Sequence, residues 1–175
     1  SEDQRYASSR PDVLTFQSEV LTEDTTLVGP LEAELFVSTN QTAADWVVKL
    51  VDVYPGEEEP RKVGDESVSL GAAQLLVRYE ILRGRFRDSF EKPKPFVPNL
   101  VTRVPIKLLD VCHNFQRGHR IMLQIQSSHF PFFDRNPQKY VENIFQAKES
   151  DFVRAEHKVW HSEKYPSRLK VKVLK

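Results

Sequence analysis

The sequence predicts an all-β fold, a sandwich of two sheets with about eight strands or more and one short helix. Three observations point there. Apolar and polar residues alternate with a period of two along much of the chain, the alternating segments are rich in Val, Phe, Trp and Tyr, and Pro, Gly and charged clusters separate them. A chain of 175 residues holds one sizeable core and is short for two, so a single domain over residues 1–175 is expected.

The first strand is predicted at "VLTFQSEV", Val13 to Val20. The second, "LEAELFVST" from Leu31 to Thr39, places Leu31, Ala33, Leu35 and Val37 on one face and Glu32, Glu34 and Ser38 on the other, with Phe36 breaking the alternation. Such a face needs a second sheet to cover it. "WVVKLVDVY" (Trp46 to Tyr54) is the third, and "PGEEEPRKVGDES" (Pro55 to Ser67) reads as a solvated hairpin excursion. "QLLVRYEIL" (Gln74 to Leu82) follows. The segment Arg83 to Asn99 combines Pro93, Pro95 and Pro98 with Phe86, Phe90 and Phe96, which predicts a loop packed by its own aromatic anchors. Further strands are predicted at Arg103 to Val111, Arg120 to Ser128, Ala155 to Ser162 and Arg168 to Leu174. Helical spacing appears only in "NPQKYVENIFQAKES", Asn136 to Ser150, enough for a short turn or two. Strands joined over long connections, with two sheets to fill, give a Greek-key or jelly-roll sandwich as the simplest architecture.

Charge and composition exclude several function classes. With 25 basic and 25 acidic side chains the electrostatic footprint of nucleic-acid binding is missing, so no nucleic acid is expected as partner. The longest apolar runs are far shorter than the ~20 residues of a membrane span, so a soluble domain is expected. Cys112 is the only cysteine, which rules out an internal disulfide and leaves cytosol and periplasm both open. Met122 is the only methionine, so the chain is expected to be a processed or excised piece.

Catalytic and metal-binding motifs are weak. Ser127, Ser128, His129 and Asp134 lie close in sequence, yet triad members normally arrive from separate segments, and no G-x-S-x-G is present. His157 and His161 are four apart, but on a strand that spacing separates their side chains by roughly 13 Å. His113 and His119 flank a turn without a carboxylate partner at a ligand spacing, so hydrogen-bonded loop histidines are expected. Neither a metal nor a cofactor is expected. Trp46 and Trp160 raise an alternative, a stand-alone carbohydrate-binding jelly roll, although both sit in strand patterns that favour packing roles.

Four motifs run in order: "RPDVLTFQSEVLTEDTTLVGPLEAELFVST", "DWVVKLVDVYP", "RYEILRGRFRDSFEKP" and "GHRIMLQIQSSHFPFFDRNP". On these the chain resembles the C-terminal domain of the X-Pro dipeptidyl-peptidase and cocaine-esterase type of serine hydrolase, which includes alpha-amino-acid ester hydrolases and acyl esterases. The resemblance covers nearly the whole chain and departs chiefly at Pro55 to Ser67, where relatives often have a shorter turn. It implies a galactose-binding-like jelly roll joined to an α/β-hydrolase domain and a helical cap. The Ser-Asp-His triad would lie in the first of these, and none of its positions maps here. This chain is then expected to be the non-catalytic third domain, with the missing hydrolase and cap domains of the same polypeptide as partners.

A domain interface is expected on "SSHFPFFDRNP", Ser127 to Pro137. Phe130, Pro131, Phe132 and Phe133 would form an apolar wedge beside Ser128, and Asp134, Arg135 and Asn136 would lock the bend through charge-assisted hydrogen bonds. Arg83, Arg85 and Arg87 are expected to line the same contact, which would border the acyl pocket. Without its partner surface, the bend would favour self-association into a homo-oligomer.

Overall fold

A computed structural model describes residues 3–57 and 60–174. Two antiparallel sheets face each other. The first runs β1 (Val13–Gln17), β8 (Arg120–Gln126), β3 (Asp45–Val53) and β6 (Gln74–Arg83) in that spatial order. The second places β2 (Thr25–Thr39) between β7 (Thr102–Phe115) on one side and β9 (His157–Trp160) and β10 (Arg168–Lys170) on the other. These last two share one edge of β2: β10 pairs Glu32 to Glu34 and β9 pairs Phe36 to Thr39. The chain crosses between sheets from β1 to β2, from β2 to β3, from β6 to β7 and from β7 to β8, as a sandwich requires.

All eight predicted strands are present. The excursion after Tyr54 forms its own hairpin, β4 (Arg61–Val63) with β5 (Glu66–Val68), turning at Gly64 with φ of +63°. β2 starts well before the predicted Leu31. Gly29, at φ +76°, and Pro30 interrupt the alternation there, and the ladder to β7 shifts register between Gly29 and Leu31. The helical spacing after Asn136 resolves into two 3-10 turns, Ile144–Gln146 and Glu149–Asp151. A four-residue helix, α1 (Arg5–Ser8), was not expected; one turn is too short to leave a periodic signal.

The core lies between the sheets. Leu31, Ala33, Leu35 and Val37 of β2 and Val104, Ile106 and Leu108 of β7 meet Trp46, Val48 and Leu50 of β3 and Ile125 of β8. On the opposite face of β2, Glu34 accepts hydrogen bonds from Arg103 and Arg168, each with a shortest contact of 2.7 Å, and Phe36 lies 5.9 Å from the ring of Tyr165. Phe96 is the buried anchor of the long loop. Arg87 lies over its ring at 4.4 Å and donates to the carbonyls of Gly84, Lys94 and Pro95. Phe86 stacks on Phe90, which stays exposed.

The outer face of the first sheet is partly covered as well. α1 and the segment after β8 close over it, burying Gln4, Ala7, Lys49 and Gln124. The bend from Ser127 to Pro137 therefore sits on this outer face at the end of β8, supported from beneath by sheet residues.

Candidate functional site

β8 delivers the bend. Its last residues, Ile125 and Gln126, are buried, and the Gln126 side-chain amide donates to the Ser128 carbonyl at 2.5 Å, so the chain turns directly off the sheet. Phe130 and Phe132 then emerge, 65% and 70% exposed, with a cis peptide between Phe130 and Pro131. Phe133 is half-covered and faces the other way, into a hollow of about 640 Å³ shared with Leu82, Phe86, Phe90 and Ile106. The predicted apolar wedge thus has two exposed rings on one side and one ring on the other.

The lock on the bend differs from the expected one. Of the three residues expected to lock it, Asn136 makes the tie: its side-chain amide donates to Asp45 Oδ1 at 2.7 Å and its Oδ1 accepts from the Gln138 N–H at 2.8 Å. Asp45 is buried at the start of β3, 3.6 Å from the Arg83 guanidinium, and burial pushes its carboxyl up to about 6 despite that neighbour. Among the described residues Asp134 makes neither an ion pair nor a side-chain hydrogen bond, and the Arg135 guanidinium lies 5.7 Å from the ring of Phe152. Hence the charge-assisted contact runs through Asn136 to an aspartate 91 residues away, a distance in sequence that hid it.

The three arginines hold the domain's own loops. Arg83 pairs with Asp45. Arg85 donates to the Val141 carbonyl at 2.7 Å and the Tyr140 hydroxyl at 2.8 Å, and its guanidinium lies over the Tyr140 ring at 4.4 Å. Arg87 fastens the loop around Phe96 as described. The terminal guanidinium nitrogens of Arg85 and Arg87 are thus matched to backbone carbonyls and the Tyr140 hydroxyl of the long loop and of the segment after the bend.

On the far side of the bend a hollow of about 670 Å³ lies between it and the segment leading to β9. Trp46, Gln126, Ser127, Gln138 and His157 border this hollow, and Trp46 Nε1, Gln126 Oε1, Ser127 Oγ, Gln138 Oε1 and His157 Nδ1 are buried without a hydrogen-bond partner among the described residues. Buried polar atoms are normally matched.

Among the described residues neither Ser127 nor Ser128 hydroxyl bonds an imidazole. His129 instead contacts Gln126 Nε2 at 3.5 Å, stacks on Phe132 at 5.3 Å and lies 5.1 Å from Tyr79. Burial and nearby Lys49 hold its imidazole below the ordinary histidine value. His157 packs edge-on against Trp46 and His161 against Phe16. Trp46 is 2% exposed, and Trp160 is partly buried with its N–H on Ser38 Oγ at 3.1 Å, so neither indole presents an open stacking face.

The other histidine pair does have a partner. Asp52 of β3 accepts from or pairs with His119 Nδ1 at 2.7 Å through Oδ1 and with His113 Nε2 at 2.9 Å through Oδ2. One buried carboxylate thereby joins the first sheet to β7 of the second. The sequence spacing of 61 and 67 residues gave no sign of it.

Comparison with known proteins agrees with this architecture. A family described as the X-Pro dipeptidyl-peptidase C-terminal non-catalytic domain matches residues 1–170. Cocaine esterase of Rhodococcus sp. (strain MB1 Bresler) is 37% identical over 134 residues, covering 77% of this chain and 21% of the esterase. Among solved structures, an aminopeptidase from a marine sediment Thaumarchaeota archaeon superposes with a TM-score of 0.92 at 41% identity, covering 99% of this chain and 28% of the aminopeptidase. An alpha-amino acid ester hydrolase gives 0.92 at 44% identity, with 99% and 27% covered. The chain thus spans between a fifth and a third of these relatives' length. The family match over residues 1–170, together with the two-sheet sandwich, leads to one conclusion: the chain belongs to the X-Pro dipeptidyl-peptidase C-terminal non-catalytic domain family.

Proposed function

We propose that this sandwich docks, through the face carrying the Ser127 to Pro137 bend, onto the α/β-hydrolase and cap domains of a serine hydrolase of the acyl esterase or X-Pro dipeptidyl-peptidase type, stabilises them and helps to shape the acyl pocket. The observation that carries this reading is the pair Phe130 and Phe132, 65% and 70% exposed on a bend whose base is tied to the buried Asp45. Large apolar rings on an anchored support are the composition of an interface centre. Burying one phenyl ring contributes roughly 1.5–3 kcal/mol. Relatives in which this fold accounts for 21% to 28% of the chain supply the class of partner.

The test is hydrolysis of a p-nitrophenyl ester. The chain alone is expected to give no turnover above buffer, while adding it to the hydrolase and cap portion raises that portion's activity or thermal midpoint. Sustained turnover by the chain alone that disappears in Ser127→Ala or Ser128→Ala contradicts the assignment.

A further inference from the structure

Lys49 is the most unusual buried group outside the docking contacts. It lies in the middle of β3, 1% exposed, on the outer face of the first sheet beneath α1. Its Nζ donates to Gln4 Oε1 at 2.8 Å, and among the described residues no carboxylate oxygen lies within ion-pairing distance. A buried ammonium needs a counter-charge and acceptors for three N–H groups. Here a neutral amide oxygen meets one.

The same lysine borders a cavity of about 270 Å³. Arg135 and His129 line its walls, and Tyr6, Phe130 and Phe132 supply aromatic surface. Arg10 also reaches it but is already paired with both oxygens of Asp12. The net charge around the space is therefore positive, with Lys49 buried and Arg135 without a carboxylate partner among the described residues. Burial lowers the lysine's proton affinity, and the charge of Arg10 adds to that effect, so an anion in the cavity would relieve both.

We propose that this cavity is a carboxylate receptor, in which Lys49 binds the head group of an organic acid whose short apolar or aryl tail lies against Tyr6, Phe130 and Phe132. Two N–H groups of the ammonium remain for two carboxylate oxygens, and Arg135 adds a planar donor. The aromatic lining suits an apolar substituent and offers little to a fully hydrated dianion such as phosphate. At about 30 Å³ per water molecule, the space accommodates a benzoate-sized ligand. The proposal differs from the docking reading in its anchor, Lys49, and shares Phe130, Phe132 and Arg135 of the bend with it.

Isothermal titration of the chain with sodium benzoate, against acetate, phosphate and chloride at matched ionic strength, tests it. The expected result is saturable one-to-one binding of benzoate, weaker binding of acetate, and at least a tenfold loss in Lys49→Met with none in the surface control Lys92→Gln. Heteronuclear NMR of the unaltered chain provides a readout that needs no variant: benzoate should shift the signals of Lys49, Ser128 and His129. Absence of saturation, shifts confined to other residues, or tighter binding of phosphate overturns the proposal. Repeating the titration with the hydrolase and cap portion bound separates two sources of the carboxylate. Persisting benzoate binding identifies a free organic acid; loss of it with Lys49 already shifted identifies an Asp or Glu of that portion.

Discussion

At the scale of single residues, Asp45 couples the bend to the sheet and makes stability depend on pH. Its carboxyl rises from an ordinary 3.8 to about 6 because burial penalises the charged form. Between those values the folded state holds a proton that the unfolded state has lost. The associated stability is complete below pH 3.8 and disappears as pH rises through 6, a change of about 3 kcal/mol by linkage. Asp45→Asn keeps an oxygen for the Asn136 amide and removes the titration. Its thermal midpoint is expected to vary much less between pH 4 and pH 7 than that of the parent chain, and an unchanged pH slope counts against this assignment.

Glu34 works in the opposite direction. Hydrogen bonds from Arg103 and Arg168 hold its carboxyl down at about 2, so its contribution is present above pH 4.5 and is lost as pH falls toward 2. Glu34→Gln should therefore lower the thermal midpoint at pH 7 more than at pH 2. Asp52 joins two histidines across the sheets, and Asp52→Ala, which strands both ring nitrogens, is expected to cost about 1–3 kcal/mol. Chemical denaturation measures that loss directly.

At the scale of elements, the strands were legible because the period-two pattern survives wherever one face is buried. Leu31, Ala33, Leu35 and Val37 face inward as the alternation requires. The beginning of β2 was hidden by Gly29 and Pro30, and α1 by its brevity. The contacts between distant segments were illegible for another reason. Asn136 to Asp45, Arg85 to Tyr140 and His119 to Asp52 join positions that only the completed sandwich brings together. Sequence showed the aromatic and polar residues of the site, but assigning the lock to Asp134 and Arg135 followed proximity along the chain.

The loop after β6 adds a prediction of its own. A Cβ on Gly84 would lie 2.5 Å from Phe96 and 2.6 Å from the Ala44 carbonyl, closer than real side chains approach. Gly84→Ala must displace the buried anchor of that loop, with an expected cost of roughly 1–3 kcal/mol from overpacking. Loss of the NMR contacts between Phe96 and the core should accompany it.

At the scale of the whole molecule, the sandwich and the family were both readable: the first from periodicity, the second from four long motifs in order. The working face was only half readable, since exposure is a property of the finished surface. Phe96 and Phe130 look alike in sequence, yet one is 2% and the other 65% exposed. None of the described segments is a helix long and apolar enough to cross a membrane.

The most direct measurement is the affinity of this chain for the hydrolase and cap domains proposed as its partners, by titration calorimetry, before and after Phe130→Ser with Phe132→Ser. Docking through the bend predicts saturable binding that weakens at least a hundredfold in the double variant while its fold and thermal midpoint are retained. Equal affinity of both forms, or no binding by the unaltered chain, contradicts it.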